Sequence, residues 1–177
     1  MNPQSYIGSI YTHRFGFDGA QNVVMGFDFD YNTKDENFIQ FKLAQTIDNT
    51  DGYNQDLLSG TGIISRLTID RRANLGLFYR FMLNYTGEDF NPGLGFVRTT
   101  NTADYYGSLG YGWLAPEASV VKQHQIQLRN YSIQSYDGFN LRSRFINLEW
   151  STQFKLAGNI SSELVYRQEL QFDPFQS

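Results

Sequence analysis

Residues 74–85, NLGLFYRFMLNY, constrain the fold more than any other stretch of this chain. Leu75, Leu77, Tyr79, Phe81, Leu83 and Tyr85 occupy every second position, separated by Asn74, Gly76, Phe78, Arg80, Met82 and Asn84. Side chains of a strand project alternately to opposite faces, so this segment has one wholly apolar, aromatic-rich face and one mixed face. Soluble strands average about five or six residues, whereas a tilted strand crossing a bilayer needs about nine to eleven. An alternating run from 74 to 85 is too long for the first and suits the second.

The same periodicity recurs along the chain and predicts nine strands, over 5–14, 21–31, 36–46, 61–70, 73–85, 104–113, 122–134, 140–155 and 159–171. No stretch has helical periodicity. In the second strand Val23, Met25, Phe27, Phe29 and Tyr31 oppose Asn22, Val24, Gly26, Asp28 and Asp30. The third sets Ile39, Phe41 and Leu43 against Gln40, Lys42 and Ala44, and the sixth sets Tyr105, Leu109, Tyr111 and Trp113 against Tyr106, Ser108, Gly110 and Gly112. In the seventh and eighth the apolar register slips by one residue: Ile126 and Leu128 are followed by Tyr131 and Ile133, and Phe145 gives way to Ile146, Leu148 and Trp150. A bulge in each strand, or a misplaced strand boundary, would explain the slip. Short connections follow strands two, four and eight, and long ones follow strands three and five, a parity typical of outer-membrane barrels.

Composition narrows the reading. The chain is 16% aromatic, with 12 Tyr, 15 Phe and 2 Trp. A net charge of −4 argues against nucleic acid, which needs a basic field. No cysteine is present, so disulfides, thiolate metal sites and a cysteine nucleophile are excluded. No apolar run approaches the roughly 18 residues of a membrane helix, so any crossing must use strands. The N-terminus MNPQSYIGSI has neither a basic nor an apolar signal region, so a secreted protein would carry its signal peptide upstream of Met1.

On this pattern the apolar face is expected to meet lipid, with Tyr31, Tyr85, Tyr105, Trp113 and Trp150 as interface aromatics. Asp28, Asp30, Lys42, Arg66 and Arg80 are expected to face a lumen. The competing reading is a soluble β-sandwich that binds carbohydrate through exposed aromatics.

Residues 89–101, DFNPGLGFVRTTN, resemble the FNPxxGFVRR-type segment of the DUF5916 family of outer-membrane β-barrel domains. SYIGSIYTHR near the start and NVVMGFDFDY followed by FKLAQT are similar to the same family, in the same order and spacing. The resemblance implies a C-terminal outer-membrane barrel of a larger Gram-negative protein, commonly preceded by a sugar-binding-module-like domain of family 9 type. Thr99, Thr100 and Asn101 stand where the family often has a second Arg and an acidic residue, and nothing here corresponds to the sugar-binding domain. Carbohydrate contact is therefore not carried over, and the family implies no reaction. Nine strands is an odd number, whereas bacterial single-chain barrels close with an even one, so the chain is expected to be a slice of a longer barrel.

Candidate chemistry is sparse. His13 and His124 are far apart in sequence, and the acidic stretch DNTDGYNQD lacks the spacing of a known cation loop, so no metal is expected. Glycine pairs at 60/62, 93/95 and 110/112 lack the strand-to-helix setting of a phosphate loop. Asp28 and Asp30 share a face, as a glycosidase pair would, but lumenal acids opposite cations are ordinary in barrels. The most distinctive loop motif is Phe90, Asn91, Pro92, Gly93, Gly95 and Phe96, read as a segment that folds back into the barrel mouth or packs on its rim. The overall expectation is an all-β antiparallel up-and-down meander of about nine long strands. It is a single partial domain over 1–177, a segment of a transmembrane barrel in the outer membrane, with lipid and the rest of the barrel as partners. No enzyme, cofactor or nucleic-acid partner is expected.

Overall fold

The computed structural model describes residues 5–33, 36–48, 60–93, 97 and 99–170. They form one antiparallel sheet of nine strands in sequence order: β1 (Tyr6–Phe15), β2 (Gln21–Asn32), β3 (Asn37–Asp48), β4 (Ile63–Arg71), β5 (Gly76–Thr86), β6 (Thr102–Leu114), β7 (Val121–Ser135), β8 (Leu141–Phe154) and β9 (Asn159–Glu169). Every expected strand is present, with boundaries moved by three residues at most. The only helical pieces among the described residues are single turns at Gly60–Gly62 and Asp137–Phe139. β1 and β9 are unpaired at the two edges, so the sheet is not closed into a barrel.

All connections after odd-numbered strands lie at one end of the sheet, spanning 16–20, 49–62, 87–101 and 136–140. Those after even-numbered strands, spanning 33–36, 72–75, 115–120 and 155–158, lie at the other. Both long connections therefore share one end, as the loop parity predicts.

The two faces differ in an unusual direction. Leu77, Tyr79, Phe81 and Leu83 of β5 pair with Tyr111, Leu109, Gly107 and Tyr105 of β6, and this apolar face runs across all nine strands. It is open: Phe81 is 50%, Leu83 48% and Leu128 48% exposed. The opposite face holds most of the buried residues, and they are polar: Asn22, Thr46, Asp48, Thr68, Asp70, Thr86, Thr102, Ser108 and Asn147. Phe90 and Ala103 are the only buried apolar side chains among the described residues. A soluble domain buries its apolar face against another layer. Here no second layer of the described residues covers it, and the sheet crowds its polar side chains together instead. Such crowding on a single sheet requires it to curl toward the polar face.

The expected bulges at the slip are absent. β7 and β8 pair without interruption from Gln123↔Gln153 to Ile133↔Ser143, and the irregularities fall only at the strand ends. Asn130, Ser132 and Arg144 consequently lie on the apolar face, while Tyr131, Ile133 and Phe145 lie on the polar one. Register explains why. Phe29, Phe41, Leu67, Leu83 and Tyr105 form one cross-strand row that continues into Ser132, Arg144 and Gln168. Four residues away along β5, Asn37, Arg71 and Tyr79 form a row that continues into Leu109, Leu128, Leu148 and Leu164. The upper row turns polar toward the C-terminal strands, and the lower row turns polar toward the N-terminal ones. The apolar band therefore runs diagonally across the ladder. The slip in β7 and β8 is the edge of that band.

Close packing on the polar face is clearest at Gly110, whose cross-strand partner Phe78 lays its ring over the glycine. A Cβ at Gly110 would meet that ring and approach the Ile126 carbonyl oxygen to 2.9 Å. Gly110→Val is expected to destabilise the sheet by about 1–3 kcal/mol through overpacking, read as a lower midpoint of urea unfolding.

Candidate functional site: the polar face and the loop folded over it

Asp28, Asp30, Lys42, Arg66 and Arg80 all lie on the polar face, where Asp28 is the direct partner of Lys42, and Lys42 of Arg66. Their local contacts differ. Asp30 accepts a 2.5 Å bond from Gln40 Nε2, and Arg66 Nε donates to Asn84 Oδ1 at 2.7 Å. Arg80 pairs with Asp70, which also takes Arg72 Nε at 2.9 Å. Asp70 is 1% exposed; both guanidinium groups pair with its Oδ2, while its Oδ1 is buried without a hydrogen-bond partner among the described residues.

Further along the face, Arg129 pairs with Glu149, and Asn147 Nδ2 donates to Glu163 at 2.9 Å. Asp70, Asp104 and the Arg129–Glu149 pair were not singled out from sequence. Strand parity could have assigned them to this face, but their partners lie on other strands.

The loop motif is divided. Phe90, Asn91, Pro92 and Gly93 are described, whereas Gly95 and Phe96 lie outside the described residues. The described part folds back over the polar face rather than extending away from the sheet. Gly87 N donates to the Ile63 carbonyl at 2.8 Å and Asp89 N to the Thr61 carbonyl at 2.9 Å, returning the chain alongside β4. Asn91 N then bonds Thr46 Oγ1 at 3.3 Å, and Asn91 Nδ2 donates to Asp48 Oδ2 at 2.8 Å on β3. Asn22 of β2 donates to that same Asp48 oxygen at 3.1 Å and to the Asn91 carbonyl at 2.9 Å. Arg14 of β1 reaches the Gly93 carbonyl at 3.3 Å. The loop thus lies across three strands that precede it by 43 to 79 residues. Gly93 is required there: its φ is +64°, and a Cβ would collide with the Asn22 amide.

The expected interface aromatics all lie on the apolar face and divide between its ends. Tyr31, Trp113 and Trp150 are toward the short connections, where Trp113, His124 and Trp150 form a cluster with ring centroids 5.5–6.2 Å apart. Tyr85 and Tyr105 are toward the long connections, and Tyr85 packs edge-on against Tyr136 at 4.8 Å while donating to the Gly60 carbonyl. His13 sits in β1 between Tyr11 and Phe15, in ring contact with both.

Among the described residues no group of three His, Cys, Asp or Glu side chains is placed to hold a metal ion. Asp28 and Asp30 share their face at successive inward positions, and Glu88 is exposed in the loop. The fold and the site define an antiparallel meander with an exposed apolar face and a buried polar one. Compared with family models, curated proteins and solved structures, the chain matches none.

Asn91→Leu removes the loop's side-chain bond to Asp48 and leaves that buried carboxylate short of a donor, at a cost of about 1–3 kcal/mol. Faster amide exchange and faster proteolysis over residues 87–93 are expected, while Glu88→Gln leaves both rates unchanged.

Proposed function

We propose that this chain is part of a transmembrane β-barrel of a Gram-negative outer membrane, in which the apolar face meets lipid and the polar face lines a lumen. The observation that carries the proposal is the diagonal, uncovered apolar band on one face of a sheet that buries polar side chains on the other. Lipid can satisfy that face where water cannot. Aromatics at both ends of the band fit headgroup levels. Tyr105 and Trp113 are eight positions apart on β6. That separation is about 26 Å of strand, or about 20 Å of height at a tilt near 40°, close to the roughly 25 Å apolar band of such barrels.

The unpaired β1 and β9 edges would leave backbone groups unsatisfied in hydrocarbon, so further strands of the same protein are proposed to close the ring. The motif resemblance to DUF5916 domains supports the same reading, with a signal peptide upstream. The activity is then that of a pore or a platform for uptake or export at the cell surface. The competing reading is a soluble module that holds carbohydrate on its exposed aromatics, for which the Trp113–Trp150 contact is suited.

Arginine substitution separates the two. Leu109→Arg sits within the band on β6, on the row where β4 already carries Arg71, while Gln168→Arg sits beyond the band on β9. The proposal expects a loss of about 2–4 kcal/mol for Leu109→Arg in lipid and almost none for Gln168→Arg. Insertion into vesicles, followed by denaturant unfolding, measures both. Stability that is equally indifferent to both, in a protein soluble without detergent, favours the carbohydrate-binding module.

A further inference from the structure

The polar face carries a feature that the barrel reading leaves unexplained. Lys42 and Arg66 are direct cross-strand partners on β3 and β4, so two cations stand opposite each other at the separation where like charges repel. Neither joins an ion pair among the described residues, although Arg72, Arg80 and Arg129 do. Two carboxylates flank the pair without closing an ion pair on either cation. Asp28, opposite Lys42 on β2, lays its carboxylate over Gly8 and against Tyr6 on the far side. Asp104 lies beyond Asn84, two strands from Arg66.

These groups line one recess of about 580 Å³, with Asp28, Lys42, Arg66, Asn84, Thr86 and Asp104 on its wall. Ala44 also lines the recess, and Thr46, two residues further along β3, holds the loop. Asn84 spends its carbonyl oxygen on Arg66, leaving its amide hydrogens to donate. Three donors, two of them charged, therefore line the same recess, where Arg66 meets only the Asn84 oxygen and Lys42 has no hydrogen-bond acceptor among the described residues. At the other side Asp104 Oδ1 is buried without a hydrogen-bond partner and needs a donor. Strands lie about 4.8 Å apart, so this acceptor sits about 10 Å across the face from Arg66.

We propose that the recess binds a small hydroxylated anion, of the size and pattern of a sugar phosphate. Its anionic oxygens sit between Lys42, Arg66 and the Asn84 amide, and a hydroxyl donates to Asp104. This rests on the lumenal reading of the polar face and adds the class of solute. The flanking acids hold the charge of the recess near balance, which suits a site that a permeating solute must leave as well as enter.

The test is isothermal titration of the purified protein in detergent micelles with inorganic phosphate, glucose 6-phosphate and glucose. Phosphate is expected to bind in the millimolar range, glucose 6-phosphate more tightly, and glucose not at all. Lys42→Met and Arg66→Met are each expected to weaken both anions tenfold or more. Asp104→Asn is expected to remove only the advantage of glucose 6-phosphate over phosphate. Lys42→Arg keeps the charge and is expected to bind, which separates lost recognition from lost folding. Absence of binding to the folded protein, or affinities unchanged in both methionine variants, overturns the site. Failure of the membrane reading appears separately, as a protein that stays soluble without detergent.

Discussion

Everything in this structure depends on the two-residue period of an antiparallel ladder. Hydrogen bonding between neighbours fixes each strand's register, and register fixes which face every side chain takes. Across nine strands that rule collects Leu, Phe, Tyr and Trp on one face and Asn, Thr, Ser, Asp and Arg on the other. A one-residue slip in any strand would exchange the two sets. The sheet then does the reverse of a water-soluble domain, crowding its polar groups and leaving its apolar ones open. In the proposed reading an environment other than water resolves that inversion, and the diagonal course of the band fits a slab crossed by tilted strands.

Burying polar groups carries its own demand, because each must find a partner. The polar face meets it with carboxylates shared between donors: Asp70 between Arg72 and Arg80, and Asp48 between Asn22 and Asn91. The second of these ties the 87–93 loop to the sheet, so the loop belongs to the polar face as much as the strands do. The Lys42–Arg66 pair joins no ion pair among the described residues, Arg66 being met by Asn84 alone, and that is why it is the proposed place for a solute.

The strands were legible because period-two patterning is a local property, and all nine were found from it. The same period puts Asp28, Asp30, Lys42, Arg66 and Arg80 together on one side, and Tyr31, Tyr85, Tyr105, Trp113 and Trp150 on the other. The slip in β7 and β8 reads in sequence as a bulge in each strand or a misplaced boundary, and the continuous register shows no bulge there. A single strand shows only that its pattern changes; the diagonal band that explains the change exists only once neighbouring strands are in register. The sequence reads the loop as one that folds back into a barrel mouth or packs on its rim, and its described part, Phe90 to Gly93, lies over the polar face. Its anchors were not legible, since Asn22 and Asp48 precede Asn91 by 69 and 43 residues. Asp70 was missed for the same reason, as nothing in its own strand announces that Arg80 stands opposite.

The medium touching the apolar face is open to direct measurement, because the chain has no cysteine and single labelling sites can be introduced freely. Spin labels placed one at a time along 77–84, in protein reconstituted into lipid vesicles, report accessibility to oxygen and to a water-soluble nickel chelate. If lipid covers the face, labels at Leu77, Phe81 and Leu83 are reached by oxygen, and those at Arg80 and Asn84 by the chelate. Labels at Leu77, Phe81 and Leu83 shielded from both reagents would mean that protein covers the face, and would contradict the membrane assignment.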